Sequence, residues 1–285
     1  MKKAGNIFWL IFAAFLLSGC ASAPFQGKLD KLRQATRKKK KNSRPRESRG
    51  SRCGDFYYQE EEEERDPLEE LEAGILEWTL LLPFTLPQMA VDDLGFRRQG
   101  WFLERPYAYG ESGSMVFPYS KNRGRGKGWK ADLALENGND FHGLDRTGLT
   151  FLVDTSSRIG FSGRLDYYRE LGSQDLIMGV ADVTLRFAQG ETAQFRTGLG
   201  VRFWGDENGG KAGLDFLYAA DFQPGDPWLL SLEFHAGNLG DAWAVEGRGV
   251  LGFQLGAFRL QGGYQHLNVG GVDLYGPFLG AGLSF

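Results

Sequence analysis

The strongest candidates for chemistry in this chain are Ser231, His235 and Glu246. A serine hydroxyl, an imidazole and a carboxylate are the groups that nucleophilic acyl transfer uses. We expect all three histidines of the sequence, His142, His235 and His266, near one outer rim of the fold, where they either act in acid–base or metal chemistry or are simply solvated. The sequence contains no phosphate-binding loop, no zinc-type Cys/His spacing and no nucleotide fingerprint, so we predict no cofactor and no metal.

Ten segments that would carry these residues follow one another between Trp129 and the C-terminus. In each of them apolar and polar residues alternate, and Gly, Asp, Asn or Pro ends the alternation. The pattern predicts an all-β fold, an antiparallel up-and-down barrel of about ten strands, or alternatively eight, over residues 129–285. The candidate strands lie near 129–137, 147–155, 158–169, 175–188, 192–204, 211–222, 228–237, 243–254, 257–267 and 272–285.

The alternation gives each strand one apolar face and one face with charges of both signs. Because a barrel of eight to ten strands is narrow enough for side chains to fill, we expect these charges to form a buried salt-bridge network. A narrow ion-conducting path is the alternative. The predicted network comprises Asp154, Arg164, Asp166, Asp182, Arg186, Arg196, Arg202, Glu233 and Arg248, with Asp215, Glu246 and Arg259 on the same face.

Two features favour a membrane barrel over a soluble β-sandwich, which would show the same alternation. Counted back from the C-terminus, connections on one side are short, and those on the other are longer or more polar, as in barrels with short periplasmic turns. Aromatic residues also collect near the strand ends, as in the girdles at the two membrane surfaces. The two predicted girdles are Phe187, Phe222, Trp228 and Phe285 on one side, and Tyr167, Trp204, Trp243 and Tyr264 on the other.

Two resemblances bear on fold and activity. The closing segment GGYQHLNVGGVDLYGPFLGAGLSF, ending at Phe285, resembles the end of small OmpA-like outer-membrane barrels, which implies the fold and an outer-membrane location. The segment Ser231–Asn238 resembles the strand of lipid A deacylase barrels that carries His-x-Ser-Asn, with His235 and Asn238 matching and Glu246 as the acid. The nucleophile position is Gly237, however, and without a hydroxyl there no acyl-enzyme forms.

Residues 1–20 have the features of an export signal: two lysines, an apolar run and small residues. The segment ends Leu-Ser-Gly-Cys20, which resembles the bacterial lipoprotein box and implies acylation of Cys20. An ordinary cleaved signal is the alternative. With Cys20 acylated, Cys53 has no partner within the chain, so we predict no disulfide framework.

The predicted linker, residues 21–66, is basic and then acidic. Residues 28–52 contain twelve Lys or Arg and two acids, a local net charge of +10, and Glu60–Glu64 begins an acidic block. Such a segment repels itself, so we predict a disordered tether. Its Lys28–Arg52 part is either a solvated spacer or a contact for lipopolysaccharide, peptidoglycan or another envelope polyanion. Nucleic acid is an improbable partner for an exported chain.

Residues 67–128 are predicted to hold a helix from about Pro67 to Leu82 and then an irregular segment with a short strand around Ser114–Tyr119. This segment docks on the periplasmic mouth, plugs the barrel or lines it. The whole chain then fits a lipid-anchored outer-membrane protein of a Gram-negative bacterium, with its C-terminus in the periplasm and outer-membrane lipids and lipopolysaccharide as partners. Its function is structural or interactive, with a small channel and an outer-leaflet lipid-modifying enzyme as alternatives.

Overall fold

A computed structural model of the chain describes residues 27–37, 81–117, 124, 126–140, 143–170, 175–207 and 209–285. The predicted export signal with Cys20, together with Cys53, His142 and most of the predicted tether, lies outside these residues. No helix in the described ranges is long and apolar enough to cross a membrane.

The dominant element is a closed barrel of ten antiparallel strands. Each strand pairs with the next in the sequence, and the barrel closes where the last strand pairs with the first, from Phe278 opposite Gly138 to Ser284 opposite Asp132. The predicted all-β barrel is therefore confirmed, with ten strands rather than eight. Two short strands, Trp101–Phe102 (β1) and Met115–Val116 (β2), precede the barrel strands Trp129–Asn139 (β3), Leu144–Thr155 (β4), Ile159–Glu170 (β5), Leu176–Gln189 (β6), Ala193–Asp206 (β7), Gly209–Gly225 (β8), Trp228–Leu239 (β9), Ala242–Leu255 (β10), Phe258–Val269 (β11) and Val272–Ser284 (β12).

The strands extend beyond their predicted ends. The connection between β7 and β8 is residues 207–208, where we expected a loop over Gly205–Gly210, and β4 begins at Leu144 inside the expected loop Gly138–Arg146. The predicted contrast between short and long connections is therefore much weaker than expected. Backbone hydrogen bonding across the hairpins continues through polar and glycine positions that the alternation alone does not mark as strand.

The outer face of the barrel is apolar and exposed. Leu279, Leu214 and Leu199 on three different strands are 75%, 74% and 70% exposed. The inner face carries the polar side chains, because successive residues of a strand point to opposite sides. The predicted assignment of faces holds on β6, where Asp182, Thr184 and Arg186 are buried.

One mouth of the barrel is closed by a helix, Lys28–Arg37 (α1). Leu29, Leu32 and Thr36 lie on one side of this helix, at the spacing that a helical turn brings together, and are fully buried. We call this end, where β3, β5, β7, β9 and β11 end and the strands that follow them begin, the α1 mouth. The prediction of disorder is therefore wrong for residues 28–37. A short apolar stripe among the basic residues is enough for this helix to pack once the barrel surrounds it.

The segment before the barrel reaches the opposite mouth. Residues 81–90 are helical and lie against the outer wall, where the Phe84 ring contacts Phe187 at 5.2 Å and Tyr218 donates a hydrogen bond to the Pro83 carbonyl. β1 and β2 then pair as a hairpin, and Phe102 is fully buried 4.7 Å from the Arg186 guanidinium of the inner wall. We call this end, which includes Phe285, the hairpin mouth.

The hairpin is held in this mouth by a close backbone contact with Glu191. The Ser114 N–H donates to the Glu191 carbonyl, and a Cβ added at Gly113 would lie 1.5 Å from that oxygen, so only glycine fits there. Of the three placements expected for this segment, the structure has it in the mouth, and the predicted strand near Ser114–Tyr119 is present as Met115–Val116.

The aromatic residues divide differently from the predicted girdles. Trp243 is 63% exposed and Tyr167 39% exposed on the outer face, as expected. Trp204 instead points inward and is 2% exposed, in a cluster with Leu29 and Leu32 of α1. Its place among the outer aromatic residues was wrong, because it shares the inward parity of Arg202 and packs beneath the helix.

Candidate functional site

The centre of the lumen holds ion pairs that join opposite walls. Arg164 on β5 binds Glu246 on β10, and these strands are five positions apart in a ring of ten. Arg202 on β7 also binds Glu246, with Nη1 2.8 Å from Oε2, and its Nε lies 2.9 Å from Asp215 Oδ1. The side chains therefore cross the lumen rather than line it.

A second group of ion pairs continues this set toward the other strands. Arg146 joins Glu136 at 2.9 Å and Asp166 at 3.1 Å, and Arg164 Nε lies 2.8 Å from Asp166 Oδ2. Arg248 bridges Glu136 and Glu233, the latter at 3.0 Å. The pairs form one continuous network, which we call the lumen network; in order it comprises Glu233, Arg248, Glu136, Arg146, Asp166, Arg164, Glu246, Arg202 and Asp215.

Burial explains why most of these charged side chains contact more than one opposite charge. Glu246 is 0% and Arg202 2% exposed, and a charge removed from water is strongly destabilising unless an opposite charge and hydrogen bonds replace the solvent. Removing one partner of such a pair typically costs about 3–5 kcal/mol. Each member of the lumen network except Asp215 therefore contacts two or more opposite charges, and Glu233 lies within 4.0 Å of three arginines.

Three of the predicted network residues lie closer to the hairpin mouth. Asp154 is 3.5 Å from Lys130 and 3.4 Å from Arg186, and Arg196 binds Asp221. Arg196 reaches the lumen network only through Glu233, at 3.9 Å. The structure thus divides the predicted set into a central network and a smaller group under the hairpin.

Asp182 is the exception among the predicted residues. It is fully buried, and neither carboxylate oxygen has a hydrogen-bond partner. Its carboxylate lies close to Asp215 and His235, and one ligand atom from each of the three lies within 4.8 Å of the others. In the described part of the chain this is the group of carboxylates and imidazoles that could hold a metal ion.

A cavity of about 120 Å³ separates the lumen network from the hairpin. On this measure a single water needs roughly 10–15 Å³, so the cavity has room for several. Charged side chains of both signs line it, including Arg164, Arg196, Arg248, Asp182 and Glu233, together with His235 and the hairpin residues Leu103–Pro106.

The three candidate catalytic residues do not form a catalytic group. The Ser231 hydroxyl donates to Asp221 at 2.7 Å, and His235 Nδ1 lies 2.5 Å from Asp215 Oδ2. Glu246 stands directly opposite His235 on the neighbouring strand, but its carboxylate binds the two arginines of the lumen network. All three residues face the lumen, away from the outer surface where a lipid would lie.

Of the two described histidines, His235 does not lie at the predicted rim, whereas His266 does lie at one end of the barrel. His235 is 3% exposed inside the lumen, because its parity on β9 matches that of Glu233. His266 does lie at the α1 mouth, exposed, with Nε2 3.0 Å from Asp273.

Sequence reasoning missed four residues of the lumen. Glu136 and Arg146 were left at the edge of an expected loop, although their parity with Ala134 and Gly148 continues the inward face. Gln261 donates to Glu136 at 2.7 Å, and Gln265 accepts from Arg146. Glutamine at an inward position of a strand next to charged neighbours was the available signal.

The closed strand order and the ion-paired interior define a ten-stranded β-barrel with a polar, occupied lumen. The chain is similar to the solved structure of a NanC porin, at 11% identity over 54% of this chain and 98% of the porin, with a TM-score of 0.33. It is also similar to a KdgM porin, at 11% identity over 55% of this chain and 99% of the porin, with a TM-score of 0.25, and to the same porin in complex with disordered oligogalacturonate. No protein-family model and no curated protein matches the sequence.

Proposed function

We propose that the protein spans the outer membrane of a Gram-negative bacterium through its ten-stranded barrel. The observation that carries this proposal is the contrast between the two faces of the wall. Leucines such as Leu214 and Leu279 are about three-quarters exposed on the outside, while charged residues such as Glu246 are buried inside. In water such an apolar exterior would be an unusually large exposed patch, whereas a bilayer covers it.

The helical residues 81–90 support a membrane surface near the hairpin mouth. Leu86 and Met89 are 54% and 60% exposed on this helix, next to the apolar outer wall. An amphipathic helix in this position can lie in the interface between headgroups and acyl chains. It would fix the depth at which the barrel sits.

Within this membrane barrel we propose a narrow channel for ions or small charged solutes, closed in the described state. The lumen is lined with charge of both signs and contains a cavity below the hairpin. The mouths are closed by α1 and by the β1–β2 hairpin, which are held by side-chain contacts and a few backbone hydrogen bonds and are not part of the wall. Release of these segments would open the ends without unfolding the barrel.

Single-channel recording in planar bilayers tests the channel. We expect brief, small conductances from the native chain, and larger ones from the double variant Arg164→Gln/Glu246→Gln, which removes both charges of the pair that crosses the lumen. The matched control is Arg169→Gln/Asp145→Asn, which neutralises an exposed cross-strand pair on the outer face and should conduct like the native chain. Absence of conductance from all three, with the barrel folded, would contradict the proposal.

A non-conducting structural or interaction role is the second candidate. The Arg164–Glu246 pair favours it, since a barrel braced across its diameter is a rigid platform. Its expected partners are outer-membrane lipids and lipopolysaccharide. Lys28 and Arg33, which belong to the basic segment expected to bind polyanions, pair with Asp140 and Asp206 of the barrel, so any polyanion contact would fall to the rest of Lys28–Arg52. A silent bilayer recording together with retention of the folded barrel on lipopolysaccharide would favour this role.

Acylation of Cys20 remains part of the proposal and concerns a residue outside the described ranges. Mass spectrometry of the mature N-terminus tests it directly. The geometry does not favour a lipid-modifying enzyme, because Ser231, His235 and Glu246 face the lumen and are bound to other partners.

A further inference from the structure

Asp182, Asp215 and His235 form a cluster in the wall of the lumen that the channel proposal does not use. All three are buried, at 0%, 2% and 3% exposure, and they come from three strands, β6, β8 and β9. They share the inward face, so their side chains converge on one point, with one ligand atom from each inside a 4.8 Å limit.

Asp182 is the feature that points to a ligand. Among the carboxylates on the inner face of the described residues, it alone has neither a hydrogen bond nor an ion pair. A buried carboxylate without a partner is strongly unfavourable, so a native structure normally supplies a proton, a water or a cation. The Asp182 carboxylate lies beside an imidazole and a second carboxylate and faces the cavity below the hairpin.

The surrounding contacts hold the other two groups in a metal-binding arrangement. Arg202 Nε donates to Asp215 Oδ1 at 2.9 Å, which leaves Oδ2 directed at His235 Nδ1, 2.5 Å away. Hydrogen bonds of this kind to the second oxygen of a ligating carboxylate are a usual feature of metal sites. A metal ion would take the place of the direct contact between Asp215 Oδ2 and His235 Nδ1.

The donor set selects the class of cation. One imidazole nitrogen and two carboxylate oxygens suit Zn²⁺ and neighbouring divalent transition metals, with ligand distances of roughly 2.0–2.2 Å. Ca²⁺ and Mg²⁺ prefer sites made of oxygen alone. Three protein ligands leave a fourth position open, on the side of the cavity.

We propose that Asp182, Asp215 and His235 bind one divalent transition metal ion, of the Zn²⁺ type, inside the barrel. The ion neutralises the unpaired Asp182 and ties β6 to β8 and β9. The site goes beyond the channel proposal, because it can bind metal whether or not the barrel conducts.

Equilibrium dialysis of the full chain in detergent, with ZnCl₂ and without a polyhistidine tag, tests the site. We expect one saturable Zn²⁺ per chain, lost or weakened at least tenfold in Asp182→Asn and in His235→Gln. Asp221→Asn is the matched control, since Asp221 is another inward carboxylate near the same cavity but outside the cluster, and it should bind like the native chain. A heat-modifiability gel on each sample verifies that the barrel is folded.

X-ray absorption of the zinc-loaded native chain gives an independent result should the variants fail to fold. A first shell of one imidazole nitrogen with oxygen ligands supports the site. Sulfur in the first shell, two or more imidazoles, equal Zn²⁺ binding by Asp182→Asn, or no saturable binding by the native chain would each overturn it. None of these results depends on conductance, so the metal site and the channel fail separately.

Discussion

The two mouths of the barrel are closed in different ways. At the α1 mouth a helix inserts apolar side chains into a cluster with Leu144, Tyr168 and Trp204. At the hairpin mouth Phe102 and Met115 are buried as well, but a few polar groups also hold the closure: Asp93 with Arg158, Tyr107 with the Trp228 carbonyl, and backbone bonds to Glu191.

This difference predicts how sensitive each closure is to the loss of single contacts. An apolar cluster loses contacts gradually as it is loosened, whereas a buried ion pair is strong while complete and unfavourable once one partner is removed. The α1 mouth should therefore be less sensitive to the loss of one polar contact than the hairpin mouth, where the single carboxylate of Asp93 holds several groups. Trypsin cleavage mapped by mass spectrometry can follow each closure separately.

The largest effect is expected from Asp93→Asn. Asp93 is fully buried, and its two oxygens meet Arg158 at 2.6 and 2.8 Å and also accept the N–H groups of Arg98 and Gln189. Loss of its charge leaves Arg158 without its carboxylate, at a typical cost of about 3–5 kcal/mol to the docked state. Cleavage after Arg98, whose backbone N–H Asp93 accepts, should then rise steeply. Asp92→Asn, an exposed neighbour, is the control, and equal protection of the two variants would contradict the comparison.

Leu32→Ala is the corresponding test at the α1 mouth. Truncation of a fully buried leucine removes contacts and leaves a cavity, which typically costs about 2–5 kcal/mol. We expect faster cleavage after Lys28, whose neighbouring residues are unchanged, with no change after Arg98 at the hairpin mouth. Gln34→Ala, on the exposed side of the same helix, should leave both sites as they are in the native chain. Faster cleavage at both mouths would mean that the two closures are coupled.

Glu170→Gln should have a smaller effect at the same mouth. The Glu170 carboxylate accepts the backbone N–H groups of Gly27, Lys28 and Leu29, each at 3.2 Å, and so caps the first turn of α1. Loss of its charge at a helix N-terminus should weaken docking by about 1–2 kcal/mol. Glu207→Gln, an exposed acid at the same mouth, controls for charge. If both variants cleave equally, Glu170 is not a cap.

Tyr107→Phe should have the smallest effect, about 1 kcal/mol on hairpin docking, since it removes one hydrogen bond to the Trp228 carbonyl. Burial raises the pKa of the Tyr107 hydroxyl above its ordinary value of 10.0. The docked state then holds its proton more tightly than the released state, so docking should weaken as the pH rises above about 10.

That loss at high pH should be absent in Tyr107→Phe. Tyr109→Phe, which changes an exposed tyrosine of the same segment, should keep the native pH dependence. Identical pH profiles for the native chain and Tyr107→Phe would show that another group governs the release of the hairpin.

The barrel was predictable because most outward positions are apolar and most inward positions are polar, so the period of two persists along the strands apart from irregularities in β6 and β8. The strand ends were less predictable, since Arg146 pairs with Gly138 and Gly209 pairs with Asp206, and polar or glycine residues at such positions do not mark a strand by alternation.

The site was predictable as a set of inward charges and not as a set of partners. Which arginine meets which acid depends on strand tilt and on contacts across the lumen, such as Arg164 with Glu246, 82 positions apart. The α1 helix was missed for a related reason. Its basic residues suggest a solvated segment until Asp140 and Asp206, both distant in the sequence, are placed beside Lys28 and Arg33.

The contacts of α1 also set an order of assembly. The helix binds Asp140 after β3, Glu170 at the end of β5 and Asp206 at the end of β7, and Gly240 and Gly270 in the β9–β10 and β11–β12 turns pack against it. These groups surround the helix only after β12 has paired with β3, although the helix precedes every barrel strand in the chain. The complete set of α1 contacts therefore requires a closed barrel, and we expect protection of α1 from protease to develop only once β12 has paired with β3.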